Sequence, residues 1–197
     1  MARRRLISWT ASIAVLVLLV VGAIVATGYQ SQRLNLDGGA VWVTNSDKQA
    51  VGRANTRINE LNTVLTTDSA QMELLQNDTS VYLVNDAKRA LDVIDQSTGT
   101  VSDSVPLPAG VTVALLTASN VILHAPLSGD VWIVPLAGLT RFDAKGQQPN
   151  FSVGADSVVA VSPAGRFVGV SAKTGLITTA DTRTAAEPQT ISSAAKL

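Results

Sequence analysis

The sequence predicts an all-β fold, a partial β-propeller of four-stranded blades, behind a single transmembrane α-helix. Three observations predict it. A charge-free apolar run follows three arginines at the start of the chain. Beyond it, short runs of Val, Thr, Leu and aromatic residues alternate with clusters of Gly, Asn, Asp, Ser and Pro, the pattern of strands joined by tight turns. Those runs recur in groups at a period near 40 residues, which is the signature of a repeated four-stranded unit.

The N-terminal element comes first. Residues 1–5, Met1-Ala2-Arg3-Arg4-Arg5, form a short basic end, residues 6–28 the span, and residues 29–33 a short linker. At roughly 1.5 Å per helical residue, Leu6 to Ala26 covers about 31 Å, matching a hydrocarbon core of about 30 Å. Trp9 and Tyr29 stand near the two ends, where amphipathic rings favour the interface. The three arginines stay in the cytoplasm by the positive-inside rule, so residues from Arg33 onward face out. A cleaved signal peptide is the competing reading, with Ala26-Thr27-Gly28 as a small-residue site. Against it, the apolar run exceeds an h-region of roughly 7–15 residues. Both readings export the rest of the chain. The expected placement is the plasma membrane, single-pass, with the C-terminal region extracellular and the lipid bilayer as partner through residues 6–28. Thr27 to Arg33 reach at most about 25 Å at ~3.5 Å per residue, which keeps the following domain close to the membrane.

Residues 34–197 form the repeat region. Four segments line up: Val41 to Asn45, Val81 to Asn85, Val131 to Pro135 and Phe167 to Ser171, with starts 40, 50 and 36 residues apart. A second strand-like run follows each start: Ala50 to Arg53, Ala90 to Ile94, Leu139 to Phe142 and Leu176 to Thr179. Polar turns come next, clearest in Asp95 to Gly99 and Asp143 to Gly146, and then a third run, near Asn62 to Val64, Val101 to Val105, Asn150 to Val153 and Gln189 to Ile191. A short apolar run precedes each start, at Leu34 to Leu36, Met72 to Leu75, Val121 to Leu123 and Val158 to Val161. Trp42, Tyr82 and Trp132 occupy the second position of three starts, which suits side chains packed between neighbouring blades. A β-sandwich also spaces its strands every 8 to 12 residues or so, but it gives no reason for a four-strand unit to repeat. Thr56 to Asp68 admits a helical turn or two.

Val81-Tyr82-Leu83-Val84-Asn85 with Leu91-Asp92-Val93-Ile94-Asp95-Gln96-Ser97-Thr98-Gly99-Thr100-Val101 resembles a repeat of the YVTN type of β-propeller. Val41 to Asn45 with Val51 to Asn55 is a looser copy. The third and fourth units depart from it, with Pro135 where Asn is expected and Gly169 and Ser171 diluting the fourth. The whole layout is similar to the N-terminal region of large actinobacterial membrane-anchored surface proteins that continue into immunoglobulin-like or fibronectin type III modules. The last unit thins out past Ile191 with no closing strand, so the chain is expected to be the N-terminal piece of a longer protein.

Composition narrows the chemistry. The net charge is +0, with 15 basic and 15 acidic residues, so no global field recruits nucleic acid. Cysteine is absent, which excludes disulfides, cysteine-type zinc, iron–sulfur clusters and thiol catalysis, and points to a bacterial source. The sequons at Asn77 and Asn150 are then coincidental. His124 is the only histidine; a lone His at a strand end is more often structural than a general base. The three glutamates Glu60, Glu73 and Glu187 are too far apart in sequence to suggest a carboxylate pair. Asp92 and Asp95 read as turn caps rather than calcium ligands, and Arg53, Arg57 and Arg89 as solvated charges. No catalytic, cofactor-binding or metal-ligating residue is assigned and no cofactor is implied. Two functions follow: a non-catalytic surface scaffold or binding module for a cell-wall polymer or surface protein, or an exported propeller enzyme of the streptogramin-inactivating lyase kind whose active residues lie outside this chain.

Overall fold

The computed structural model describes residues 40–55, 60–69, 71–184 and 186–192. The chain divides into two compact units, Met1–Gly38 and Gly39–Leu197, and every described residue belongs to the second. The expected span at residues 6–28 and the linker therefore lie outside the described residues. Among those described, no helix is long and apolar enough to cross a membrane.

The described chain is all-β, built of antiparallel meanders in a blade-like arrangement. The first sheet holds β1 (Ala40–Asn45), β2 (Ala50–Asn55) and β3 (Glu60–Thr66) in that order. The second holds β4 (Met72–Gln76), β5 (Val81–Asn85), β6 (Ala90–Asp95) and β7 (Thr100–Pro106). The third holds β8 (Val113–Leu116), β9 (Asn120–Ala125), β10 (Asp130–Pro135) and the two-residue β11 (Phe151–Ser152). The fourth holds β12 (Ser157–Val161), β13 (Arg166–Ser171), β14 (Leu176–Asp181) and β15 (Gln189–Ser192). β4 packs against β1 and β8, and β8 against β12, so the first strands of the last three sheets lie side by side along the inner edge.

Sheets stack face to face because the inner strands, β5 and β9 above all, are buried on both sides. In β5, Val81 and Leu83 join Trp42 and Val51 in one core, between the first and second sheets. Tyr82 and Val84 point the other way, into a core shared with Leu123, Trp132 and Val134 of the third sheet. A third core, with Ile122, Val131, Val153 and Phe167, joins the third and fourth sheets, and the Phe151 ring meets Phe167 edge-on at 5.2 Å. Continuous apolar runs are what strands buried on both faces require. Trp42, Tyr82 and Trp132 are buried between sheets as the sequence suggests.

The repeat register needs one correction. Val81 and Phe167 begin or enter second strands (β5, β13), but Val131 lies in β10, a third strand. The true counterpart is Val121 in β9, and the spacings from Val41 become 40, 40 and 46 residues. Continuous apolar runs mark the second and the third strand alike, so pattern alone could not separate them. The turn that follows the second strand could. In the first sheet β1 takes the second strand's place, and the last residue of this turn is left-handed in all four sheets: Gln49 (φ 48°), Arg89 (φ 50°), Gly129 (φ 82°) and Gly175 (φ 66°). The first three also accept, through their carbonyls, the N–H groups of Thr67, Leu107 and Val153, just past β3, β7 and β11. Leu139 to Phe142, read as a strand, belongs to a 3-10 segment, Leu136–Arg141, and its flank. Leu139 and Phe142 fill the core between the second and third sheets, and this insertion stretches the last spacing to 46. Residues 60–66 are strand, not helix. Val113–Leu116, which the sequence reading missed, is the first strand of the third sheet. β15 completes the fourth.

Candidate functional site

The inter-strand loops that gather at one end of the sheets build a cleft of about 530 Å³. The β3–β4 loop supplies Asp68, Ser69 and Gln71, the β5–β6 turn Asp86, Ala87 and Arg89, and the β7–β8 loop Leu107, Gly110, Val111 and Thr112. A second cleft of about 340 Å³ shares Gln71, Asp86 and Thr112 and extends to Ser46 and Glu73. Leu107 and Val111 make part of the larger cleft apolar, and Asp68 and Asp86 outnumber Arg89 among its charged groups.

The turn chemistry places these groups. Asn85 Oδ1 accepts the Lys88 N–H at 3.2 Å and Asn45 Oδ1 the Lys48 N–H at 3.1 Å, the same cap in two sheets. The left-handed Arg89 that closes the second turn sends its guanidinium to the Pro108 carbonyl at 3.4 Å. Lys88 lies 3.8 Å from Asp68 and 3.9 Å from Asp92. Asp92 is buried mid-strand, accepting from Ser104 Oγ at 2.6 Å and Asn85 Nδ2 at 3.1 Å. It is therefore no turn cap, contrary to the sequence reading; a buried carboxyl in a strand takes side-chain partners because the backbone is already paired. Asp95 does cap its turn, accepting from Ser97 N at 2.8 Å and Ser97 Oγ at 2.6 Å. Those bonds hold its pKa below the usual carboxylate value.

His124 stands outside the cleft, 1% exposed between the third and fourth sheets. Its Nε2 meets Ser157 Oγ at 2.9 Å, while Nδ1 is buried with no hydrogen-bond partner. Burial lowers its pKa below 6.5, opposed by the charge of Asp130. Such an imidazole stays neutral and unreachable, which agrees with a structural role. Of the arginines, Arg53 Nη1 donates to the Gln96 carbonyl at 3.2 Å, tying the first sheet to the second. Arg57 lies outside the described residues. Glu60 and Glu187 are exposed and Glu73 edges the smaller cleft. Among the described residues, no three His, Cys, Asp or Glu side chains gather as a metal site would require. Sequence reasoning missed the cleft because its lining comes from three loops separated by about twenty residues each; the one available signal was the Asn-x-x-Lys turn repeated at Asn45 and Asn85.

Stacked four-stranded sheets with loops converging on one end define a protein built of β-propeller blades. No protein family matches the sequence, and no curated protein is similar to it. Solved structures show the likeness instead. Hsv2 of Kluyveromyces lactis, with its loop complete, is 14% identical with a TM-score of 0.53 over 79% of this chain and 47% of that one. Hydrazine synthase of Kuenenia stuttgartiensis is 12% identical with a TM-score of 0.52, over 79% and 47%. Virginiamycin B lyase of Staphylococcus aureus is 10% identical with a TM-score of 0.54, over 80% and 53%. At these identities the likeness shows the fold alone, and the chain spans about half the length of the structures it matches.

Proposed function

We propose that this chain is a non-catalytic binding module of the cell surface, anchored in the plasma membrane through residues 6–28. Its loop cleft would take a cell-wall polymer or a surface protein. The observation that carries the reading is the cleft itself, lined by Asp68, Asp86, Gln71 and Thr112 together with Leu107 and Val111. Carboxylates, an amide and a hydroxyl at such a rim suit a ligand rich in hydroxyl, amide or ammonium groups. The test is co-sedimentation of the purified chain with isolated cell-wall polymer. Binding should weaken by about tenfold in the Asp68→Asn, Asp86→Asn double variant. Equal binding by both forms, or none by either, would reject the reading. Placement is tested separately: protease added to intact cells should remove a C-terminal tag and spare an N-terminal one.

A second reading, a propeller enzyme, is favoured by the fold likeness to virginiamycin B lyase. A histidine-to-alanine variant of that lyase, solved with quinupristin, is described as catalytically inactive. Here the single histidine is packed between sheets rather than in the cleft, so an active set would have to come from residues outside this chain.

A further inference from the structure

The repeat shows what normally stands where His124 is. Counted from Val41, Val81, Val121 and Phe167, the equivalent residues are Thr44, Val84, His124 and Val170. Three sheets use a β-branched side chain there, and the third buries a titratable one. The imidazole packs toward the fourth sheet, where Nε2 meets Oγ of Ser157, the first residue of β12, at 2.9 Å. The Ser157 N–H donates to the Pro126 carbonyl at 3.0 Å, and its hydroxyl can donate to the same oxygen at 3.5 Å. A hydroxyl so engaged accepts from Nε2–H, which leaves Nδ1 with a bare lone pair, buried and without a partner. The other end of this junction is tied differently. There the Ala118 N–H donates to the Pro163 carbonyl at 3.2 Å, and Asn120 Nδ2 to the Thr182 carbonyl at 2.9 Å. Neither donor titrates.

We propose that His124 and Ser157 form an acid-sensitive latch between the third and fourth sheets, with the Ala118 and Asn120 ties at the far end as its hinge. A proton on Nδ1 puts a charged N–H where the closed junction offers no acceptor, and a buried unpaired charge is costly. Water reaches Nδ1 only where β12 parts from the third sheet. The opened form therefore takes the proton more readily than the closed one, and acid raises its population. Among the described residues, Asp130 at the start of β10 is the charged group that favours the imidazolium, and burial outweighs it. Its carboxylate is engaged by Ser128 Oγ at 2.7 Å. The other elements bring no opposing charge to the ring. β8 places Val113 opposite His124, β10 Val131, and β11 Phe151 beyond it. Beside β12 and β13, Asp156 and Lys173 are exposed, and Arg166 lies at the end of β13 away from Ser157.

Hydrogen exchange of the full chain in detergent micelles, compared at about pH 7 and about pH 5 and corrected for intrinsic rates, tests the latch. The amides of Ser157 and β12 should lose protection at the lower pH, while Ala118, β5 and β6 keep theirs. Because the chain holds a single histidine, its imidazole resonances report the protonation directly, and their midpoint should coincide with that loss. His124→Gln keeps an uncharged donor for Ser157 and should remove the pH dependence. Should it unfold, His124→Val repeats the test with the side chain that Val84 supplies in the second sheet. Protection of β12 that is equal at both pH values overturns the inference. So does a loss that persists in these variants, spreads evenly over the sheets, or departs from the histidine midpoint.

Discussion

At the residue scale, the turn after each second strand explains why two polar side chains and two glycines occupy one position. A left-handed conformation costs a residue with a Cβ roughly 1–2 kcal/mol, and glycine essentially nothing. Gln49→Gly should therefore raise stability by up to about 1 kcal/mol after the added chain entropy of glycine, read as an upward shift in thermal midpoint. Gly129→Ala should do the reverse and more, because its Cβ would collide with the Gly154 carbonyl oxygen. A loss of about 2 kcal/mol or more is expected. His124 carries a different prediction. Its folded pKa lies below 6.5 because burial disfavours the imidazolium. As pH falls, the unfolded chain takes up the proton first, so stability is full above about 6.5 and declines below it until the folded imidazole also protonates. Comparing thermal midpoints at about pH 7 and about pH 5, the His124→Gln variant should show a smaller drop than the wild type. An equal drop would mean that the carboxylates alone set the acid limit.

At the element scale, the strands are held less by propensity than by what each face meets. Leu91, fully buried in the core between the second and third sheets, should cost about 2–5 kcal/mol when cut to alanine. Val158 in the fourth sheet, 72% exposed, should cost under about 0.5 kcal/mol, although both positions read as β-branched or aliphatic strand residues. The polar group buried in β6 behaves as a unit. Asp92→Ala strands Ser104 Oγ and Asn85 Nδ2, which should lose about 1–3 kcal/mol. A double-mutant cycle between Asp92→Ala and Ser104→Ala should report a coupling of about 0.5 kcal/mol or more. Additive losses would mean that the 2.6 Å contact contributes nothing of its own. The sequence marked these strands well and their order poorly. Val121-Ile122-Leu123 and Val131-Trp132 are both apolar runs and both buried, and only the glycine between them, at Gly129, says which comes second. The third-sheet insertion escaped for a related reason: Leu139 and Phe142 are apolar because they plug a core, and a short apolar run fits a plug as well as a strand.

At the scale of the whole molecule, stability should pass from sheet to sheet, since each core joins neighbours only. Phe167→Ala, removing the most voluminous of the fully buried side chains, should cost about 3–5 kcal/mol. It should loosen the fourth sheet before the second. Hydrogen exchange of the β13 and β14 amides should quicken while β5 and β6 keep their protection, and a uniform rise would show that the sheets unfold as one. What the sequence determined by itself is the local script: apolar runs buried on both faces, polar turns at fixed offsets, and a unit near 40 residues long. These follow from strand periodicity and turn stereochemistry, which act over a few residues and leave their mark in every unit. The tertiary structure alone decided which runs pair, where the insertion goes, that Asp92 is buried rather than a cap, and which loops form the cleft. Those outcomes depend on contacts between residues tens of positions apart, where a shift of one strand changes the partner without changing the pattern.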